Sequence, residues 1–343
     1  MKMRLPTSNA SITLSILMLA LVGSSMCLNA WGPGHYDVNR IALDRFPVEI
    51  KALLSPENRK AFVKDAKVPD DFTPWSEYEK KKGRVITPND LAILSKYKIK
   101  TPYALHSAKG QAVNYVLLYR ALKDRDGNRI AFWGACLAHT LADEVACNHD
   151  PLIHYLTYAF KGGYGMKFGK DGVLDFGELC RTPEGYALAL EALGPVSPKS
   201  LGKETQEVLV EIMLHGLQAN QFMSERSVLI ASAFNPDAGE GALADSRFAM
   251  AELGAYGVRK WLEAITTAWA LINESKPVPV LTPELLADYK ARHTKFVAAR
   301  PLSSDALYAP WLKLQTDPNI PAIGVVVEPS TTMNKGGLSF GGR

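Results

Sequence analysis

From Arg129 to Cys147 the chain reads Arg-Ile-Ala-Phe-Trp-Gly-Ala-Cys-Leu-Ala-His-Thr-Leu-Ala-Asp-Glu-Val-Ala-Cys, a helical stretch that is apolar almost all round. A helix without a polar face has to be enclosed by others, so the rest of the chain must supply a jacket of amphipathic helices. The expected fold class is therefore all-α, a multi-helix bundle around one central buried helix.

The flanking sequence supplies that jacket. Helical spacing is read over residues 36–46, with Pro47 able to open a second helix through Leu54, and again over 89–97 and 111–123. Further candidates are 151–160, 184–193, 205–226, 242–275 and 283–299, while 65–84 reads as a charged connection and 161–179 as a long Gly- and Asp-rich loop. The strongest β-branched run, 323–327, contains Gly324 and lies in a Gly-rich tail expected to be loose.

The ends of the sequence suggest export. Lys2 and Arg4, an apolar stretch over 12–22 and a small-residue segment over 23–30 have the form of a signal peptide cut after Ala30. The apolar stretch is well short of the roughly 20 residues that span a membrane. Cys27 raises lipoprotein processing as an alternative, but Met26 is a poor fit to the small residue that such processing needs. The expected organisation is thus a signal peptide (1–30), one helical domain (31–315) and a tail (316–343), in a secreted or periplasmic protein.

Removing residues 1–30 takes away two cations and no acids, so the formal charge falls from +4 to +2. Such a chain has no general electrostatic attraction for nucleic acid or anionic membrane, so no stable nucleic-acid complex is expected. Cys136, Cys147 and Cys180 remain. The first two fall on one helix and should not pair with each other, and a bond from one of them to Cys180 is open in an exported protein.

Chemistry concentrates in the central helix. His139 and Asp143 are spaced i, i+4 on one face, and His149 follows six residues later. Ionisable groups in so apolar a segment are costly unless paired or bound to a cation. A hydrogen-bonded pair within the core would satisfy His139 and Asp143 alone. The seven histidines 35, 106, 139, 149, 154, 215 and 293, most of them beside apolar residues, favour a metal site that mixes imidazole with carboxylate, a ligand set suited to zinc. A cut after Ala30 would also leave a free amino group at Trp31, four residues from His35.

Trp31 with the nearby His35, Asp70 in the run Val-Pro-Asp-Asp, the single His106, and above all the His-x-x-x-Asp-x5-His spacing of His139, Asp143 and His149 resemble the zinc-dependent phospholipase C family. That family shares its all-helical fold with fungal single-strand nucleases. The resemblance covers roughly residues 31–155 and implies two to three Zn2+ ions. It implies that Trp31, through its amino nitrogen and carbonyl oxygen, and His35 hold one ion with Asp143 as a shared ligand. Asp70, His106 and His139 would join Asp143 around a second, with Asp70 also the candidate general base and Asp65 or Asp71 as alternatives to it.

At the third ion the chain departs from the family, whose pattern places an acid four residues after a histidine beyond His149. His154 is followed at that spacing by Tyr158 and His215 by Ala219. Glu211 and His215 offer the same pair reversed on one helical face and stand as the substitute.

The resemblance implies phospholipase C-type hydrolysis of a phospholipid or another phosphodiester, with peripheral contact at a membrane surface. Single-strand nuclease activity and a binding protein that keeps the scaffold without turnover are the alternatives. The exposed aromatics expected of a substrate rim are sought among Trp75, Tyr78, Tyr155, Tyr158 and Tyr164.

Overall fold

A computed structural model describes residues 31–82, 85–147, 175–233 and 239–299. Twelve α-helices and two 3-10 segments are packed together, and no strand occurs among the described residues. The first half of the chain holds α1 (Gly34–Asp44), α2 (Val48–Lys51), α3 (Pro56–Lys64), the 3-10 segment Asp65–Asp70, α4 (Trp75–Lys82) and α5 (Pro88–Lys96). The 3-10 segment Pro102–His106 leads into α6 (Ala108–Lys123) and α7 (Gly127–Asp143). After the undescribed stretch come α8 (Phe176–Leu179), α9 (Pro183–Leu193), α10 (Thr205–Ser232), α11 (Glu240–Asn273) and α12 (Pro283–Ala299).

Helix starts follow the local chemistry. Ser55, Thr87, Ser107, Asp126 and Thr182 each accept a backbone N–H from the first turn of the helix they precede, and three of those helices open with Pro at 56, 88 and 183. Proline at that position gives up an N–H that would have no helical partner in any case.

Helix α7 is the centre of the molecule. Every residue from Arg129 to Asp143 is buried, and the helix touches α1, α3, α6, α11 and the first 3-10 segment. The aromatic seam beside it holds Phe46, Phe62 and Trp261, with ring centroids 5.1 Å apart for Phe46 and Phe62 and 5.9 Å for Phe62 and Trp261. Close approach between α7 and α11 depends on Gly257, where a β-carbon would lie 2.8 Å from that of Ala142.

At the outer end of α7, Arg129 grips a buried carboxylate. Its Nε and Nη2 donate to the two oxygens of Asp90 at 3.1 and 2.7 Å, while Nη1 donates to Asp124 at 2.8 Å. Asp90 also closes the capping box of α5 with Thr87, so one carboxylate both starts α5 and ties it to the central helix.

The fold corrects several sequence readings. Within the charged connection, residues 65–82 carry a 3-10 segment and α4, because Ala66, Val68, Trp75 and Tyr78 bury themselves at irregular spacing. Trp75 and Tyr78 are 3% exposed and pack with Phe132 and Trp133, so they belong to the core rather than to a substrate rim. Helix α3 was not expected, and α8 falls inside the expected loop. Cys180 is a buried free thiol and no disulfide joins it to Cys136 or Cys147. The expected helix 151–160, His149, His154, Tyr155, Tyr158, Tyr164, the 1–30 segment and the 316–343 tail lie outside the described residues.

Candidate metal centre

Four elements deliver the cluster. His35 lies in the first turn of α1, Asp70 ends the first 3-10 segment, His106 ends the second, and His139 and Asp143 occupy the last turns of α7. The i, i+4 spacing sets the two α7 side chains on one face. The backbone bond from Tyr103 N–H to the Asp71 carbonyl, 3.1 Å, draws the two 3-10 segments together over that face.

The coordinating atoms converge. His106 Nε2 lies 3.0 Å from His139 Nε2, and Asp70 Oδ1 lies 3.7 Å from the first and 3.4 Å from the second. Asp143 divides its oxygens, with Oδ1 3.4 Å from His35 Nε2 and Oδ2 3.5 Å from His106 Nε2. The His35 and His139 rings are stacked, centroids 3.7 Å apart. Two overlapping groups, His35 with His139 and Asp143, and Asp70 with His106 and His139, could each hold a metal ion.

Tautomers and charges suit such a role. His106 Nδ1 lies 2.9 Å from the Tyr103 carbonyl, which only a protonated Nδ1 can satisfy, so the Nε2 lone pair points into the cluster. Burial lowers the pKa of His35, helped by His139, and burial likewise lowers that of His106. Burial also disfavours a charged His139, but the Asp70 carboxylate, with Asp143 and the Ala66 backbone, outweighs it and holds the His139 pKa above its ordinary value. Asp70 is the reciprocal case: burial would raise its pKa, and His139 outweighs burial and lowers it. The carboxylates thus favour positive charge at His139, charge of the kind a divalent ion would supply.

Among the acidic alternatives Asp70, Asp71 and Asp65, it is Asp70 whose carboxylate falls in a group that could hold an ion. Asp71 turns away and accepts the N–H of Thr73 at 2.8 Å. The side chain of Asp70 is 31% exposed, against 15% for His106, 11% for Asp143, 1% for His35 and 0% for His139, so the cluster opens to solvent on the Asp70 side.

Trp31 is fully buried beside the cluster. Its carbonyl accepts the His35 N–H at 3.3 Å, its φ is +49°, and its indole stacks on Phe176 at 5.4 Å. Gly254 of α11 makes room for that arrangement, since a β-carbon there would overlap the Phe176 ring.

The structure does not bring Glu211 and His215 to the cluster. Glu211 pairs with Arg292 on the surface, and His215 Nε2 bonds the Leu141 carbonyl at 2.8 Å inside the core. Burial pushes the His215 pKa down to about 4. The two point apart because a reversed i, i+4 pair shares a helical face only at its Cβ atoms, and here one side chain follows the solvent edge while the other enters the α7 contact.

Sequence reasoning missed two features. Gln111 was read only as the start of a helix, yet it is 1% exposed and bonds across to α7. Phe72, 46% exposed, stacks on Tyr103 at 4.2 Å, and Tyr103 in turn lies 4.9 Å from the His106 ring. A single exposed Phe directly after Asp70-Asp71 was the available signal. No family model matches the chain, and neither a curated protein nor a solved structure matches it.

Proposed function

We propose that the protein is a zinc-dependent hydrolase of phosphate esters, exported before it acts, with phospholipid head groups as its substrate class. The observation that carries this reading is the division of Asp143 between His35 and His106, which is the placement required of a carboxylate shared by two ions.

The spacing of the donors supports zinc. Tetrahedral coordination at about 2.0–2.1 Å sets neighbouring ligand atoms about 3.3 Å apart. The separations among His106, His139 and Asp70 run from 3.0 to 3.7 Å, and Asp143 Oδ2 lies 3.5 Å from His106 Nε2. Asp70, His106 and His139 would hold one ion with Asp143 Oδ2 on its His106 side, and His35 with Asp143 Oδ1 would hold a second beside the Trp31 backbone. When bound, the ions supply a water activated near neutral pH and stabilise charge on the phosphoryl group. Asp70, the most exposed of the five, is unprotonated at neutral pH and is the group placed to accept a proton from the open side. His35 and His139 are sealed from solvent and keep their ring planes fixed by stacking.

No helix among the described residues is long and apolar enough to cross a membrane, so a lipid substrate would be met by peripheral contact. A second reading, single-strand nuclease, is favoured by the Phe72–Tyr103 pair beside His106, since a base stacked on an aromatic ring gains about 1–3 kcal/mol.

Hydrolysis of phosphatidylcholine and of single-stranded DNA, assayed side by side with and without a chelator, tests both. Chelator-sensitive hydrolysis of either supports the enzyme and picks its substrate. No hydrolysis of any phosphodiester, or hydrolysis indifferent to chelation, contradicts it.

A further inference from the structure

The last turn of α7 carries Asp143, and its four terminal carbonyls, 140 to 143, have no partner further along the helix unless something supplies one. Each has a donor. Asp143 C=O accepts the Ala146 N–H at 3.0 Å and Ala142 C=O accepts the Val145 N–H at 3.1 Å, a local tightening of the chain. The other two are served by side chains from other helices. Leu141 C=O accepts His215 Nε2–H at 2.8 Å from α10, and Thr140 C=O accepts Gln111 Nε2–H at 3.3 Å from α6.

Gln111 does more with the same amide. It donates to Glu144 Oε1 at 2.7 Å and approaches the His106 carbonyl at 3.4 Å, so one nitrogen joins the backbone of a cluster histidine to the turn that bears Asp143. Both side chains are almost wholly buried, at 1% and 3% exposure. Nε2 directs its proton to a carbonyl, and burial, which lowers the His215 pKa, keeps the ring neutral with a bare Nδ1 that has no hydrogen-bond partner among the described residues. A group kept neutral and buried 74 residues from its acceptor is a fixed strut rather than a titrating ligand.

We propose that Gln111 and His215 are positioning residues that clamp the C-terminal turn of α7 and thereby fix the angle at which Asp143 is shared between the two halves of the cluster. The proposal rests on the metal-centre reading. It replaces the role of third-ion ligand with one that acts through backbone carbonyls and needs no contact with metal or substrate.

The experiment compares zinc affinity, by competition with a chromophoric chelator, and the visible spectrum of the cobalt-substituted protein. Gln111→Met and His215→Phe keep approximate shape but remove the donors, and each is expected to weaken zinc binding by about 10–100-fold, the range for lost outer-sphere partners, and to alter the cobalt spectrum. His215→Gln restores a donor at the Nε2 position and is expected to return both readouts to wild type. Arg129→Met, which breaks the ion pair at the other end of α7, is expected to lower stability while leaving zinc affinity and the cobalt spectrum unchanged. Wild-type affinity and spectrum in both His215→Phe and Gln111→Met would overturn the clamp while leaving the metal centre standing. Wild-type protein that binds neither zinc nor cobalt would overturn the metal centre and the clamp together. If the donor-free variants fail to fold, the His215 tautomer in the wild-type protein, read from imidazole nitrogen shifts at pH 7, takes their place. A proton on Nε2 supports the clamp, and a proton on Nδ1 overturns it.

Discussion

His106 and His139 bring their Nε2 atoms to 3.0 Å although 33 residues of chain separate them and they sit on different elements. With the His106 Nδ1 proton committed to the Tyr103 carbonyl, a lone pair on Nε2 faces the neighbouring imidazole and the Asp70 carboxylate. Two carboxylates and three imidazoles converge in one place, an arrangement that could hold a divalent ion.

Asp143 is the first test of that account. Asp143→Asn removes charge from both halves of the cluster, so it should lower zinc content by more than one ion and activity by more than about 100-fold, since even outer-sphere partners are worth about 10–100-fold in affinity or activity. Glu211→Gln, whose parent side chain pairs with Arg292 at the surface, should change neither by more than about 2-fold. Metal analysis and hydrolysis rates on the two variants check this, and equal behaviour of the pair would contradict it.

His215 predicts a pH dependence of stability. Its folded pKa is pushed down to about 4 from the ordinary 6.5, so between those values the unfolded chain takes up a proton that the folded protein refuses. Stability therefore falls as pH drops through 6.5 towards 4, and at pH 5 this one group accounts for about 2 kcal/mol. Urea unfolding of wild type and His215→Gln at pH 7 and pH 5 isolates the effect. The variant should lose less stability on acidification by about that amount, whereas parallel losses would contradict it.

The Arg129–Asp90 pair is structural. Asp90 is fully buried, so Asp90→Ala leaves the buried guanidinium to the exposed Asp124 and should cost about 3–5 kcal/mol. A loss below about 1 kcal/mol in urea unfolding would show that Asp124 and solvent take over the charge.

Gly254 predicts a coupling. Gly254→Ala drives a methyl into the Phe176 ring and should destabilise by about 1–3 kcal/mol. Phe176→Leu in the same chain should recover part of that loss, because the clash is between those two residues. Additive losses in the double variant would place the strain elsewhere.

Much of this architecture could be read from the residues. The apolar run around His139 announces a central helix, and helical spacing places the starts of α1, α5, α6, α9 and α10 within a few residues, while α3, opened by Ser55 and Pro56, is not read from it. His35, Asp70, His106, His139 and Asp143 were named from spacing and resemblance, and the structure brings all five together. What stayed hidden were the relations set only by packing. Nothing in the spacing of Glu211 and His215 tells which way each side chain leaves the helix, and nothing in Gln111 tells that its amide meets three acceptors from elsewhere in the chain. Trp75 and Tyr78 looked available for substrate because α4 is mostly charged, and only the tertiary contact with Phe132 and Trp133 shows them buried.

Trp31 separates the role of the chain end from that of the indole. If cleavage after Ala30 frees an amino group that helps to hold an ion, a chain with one extra residue before Trp31 should lose one metal equivalent and most activity, because the amine is displaced by about 3.5 Å. The helical core should remain folded by circular dichroism. Full metal content in the extended chain would assign the buried Trp31 to packing on Phe176 alone.

The most direct measurement is the metal content of the purified protein, by elemental analysis, paired with phosphodiester hydrolysis before and after chelation. The account predicts at least two zinc equivalents per chain, activity lost on chelation and regained on adding zinc. Less than one equivalent, or activity untouched by the chelator, would contradict it.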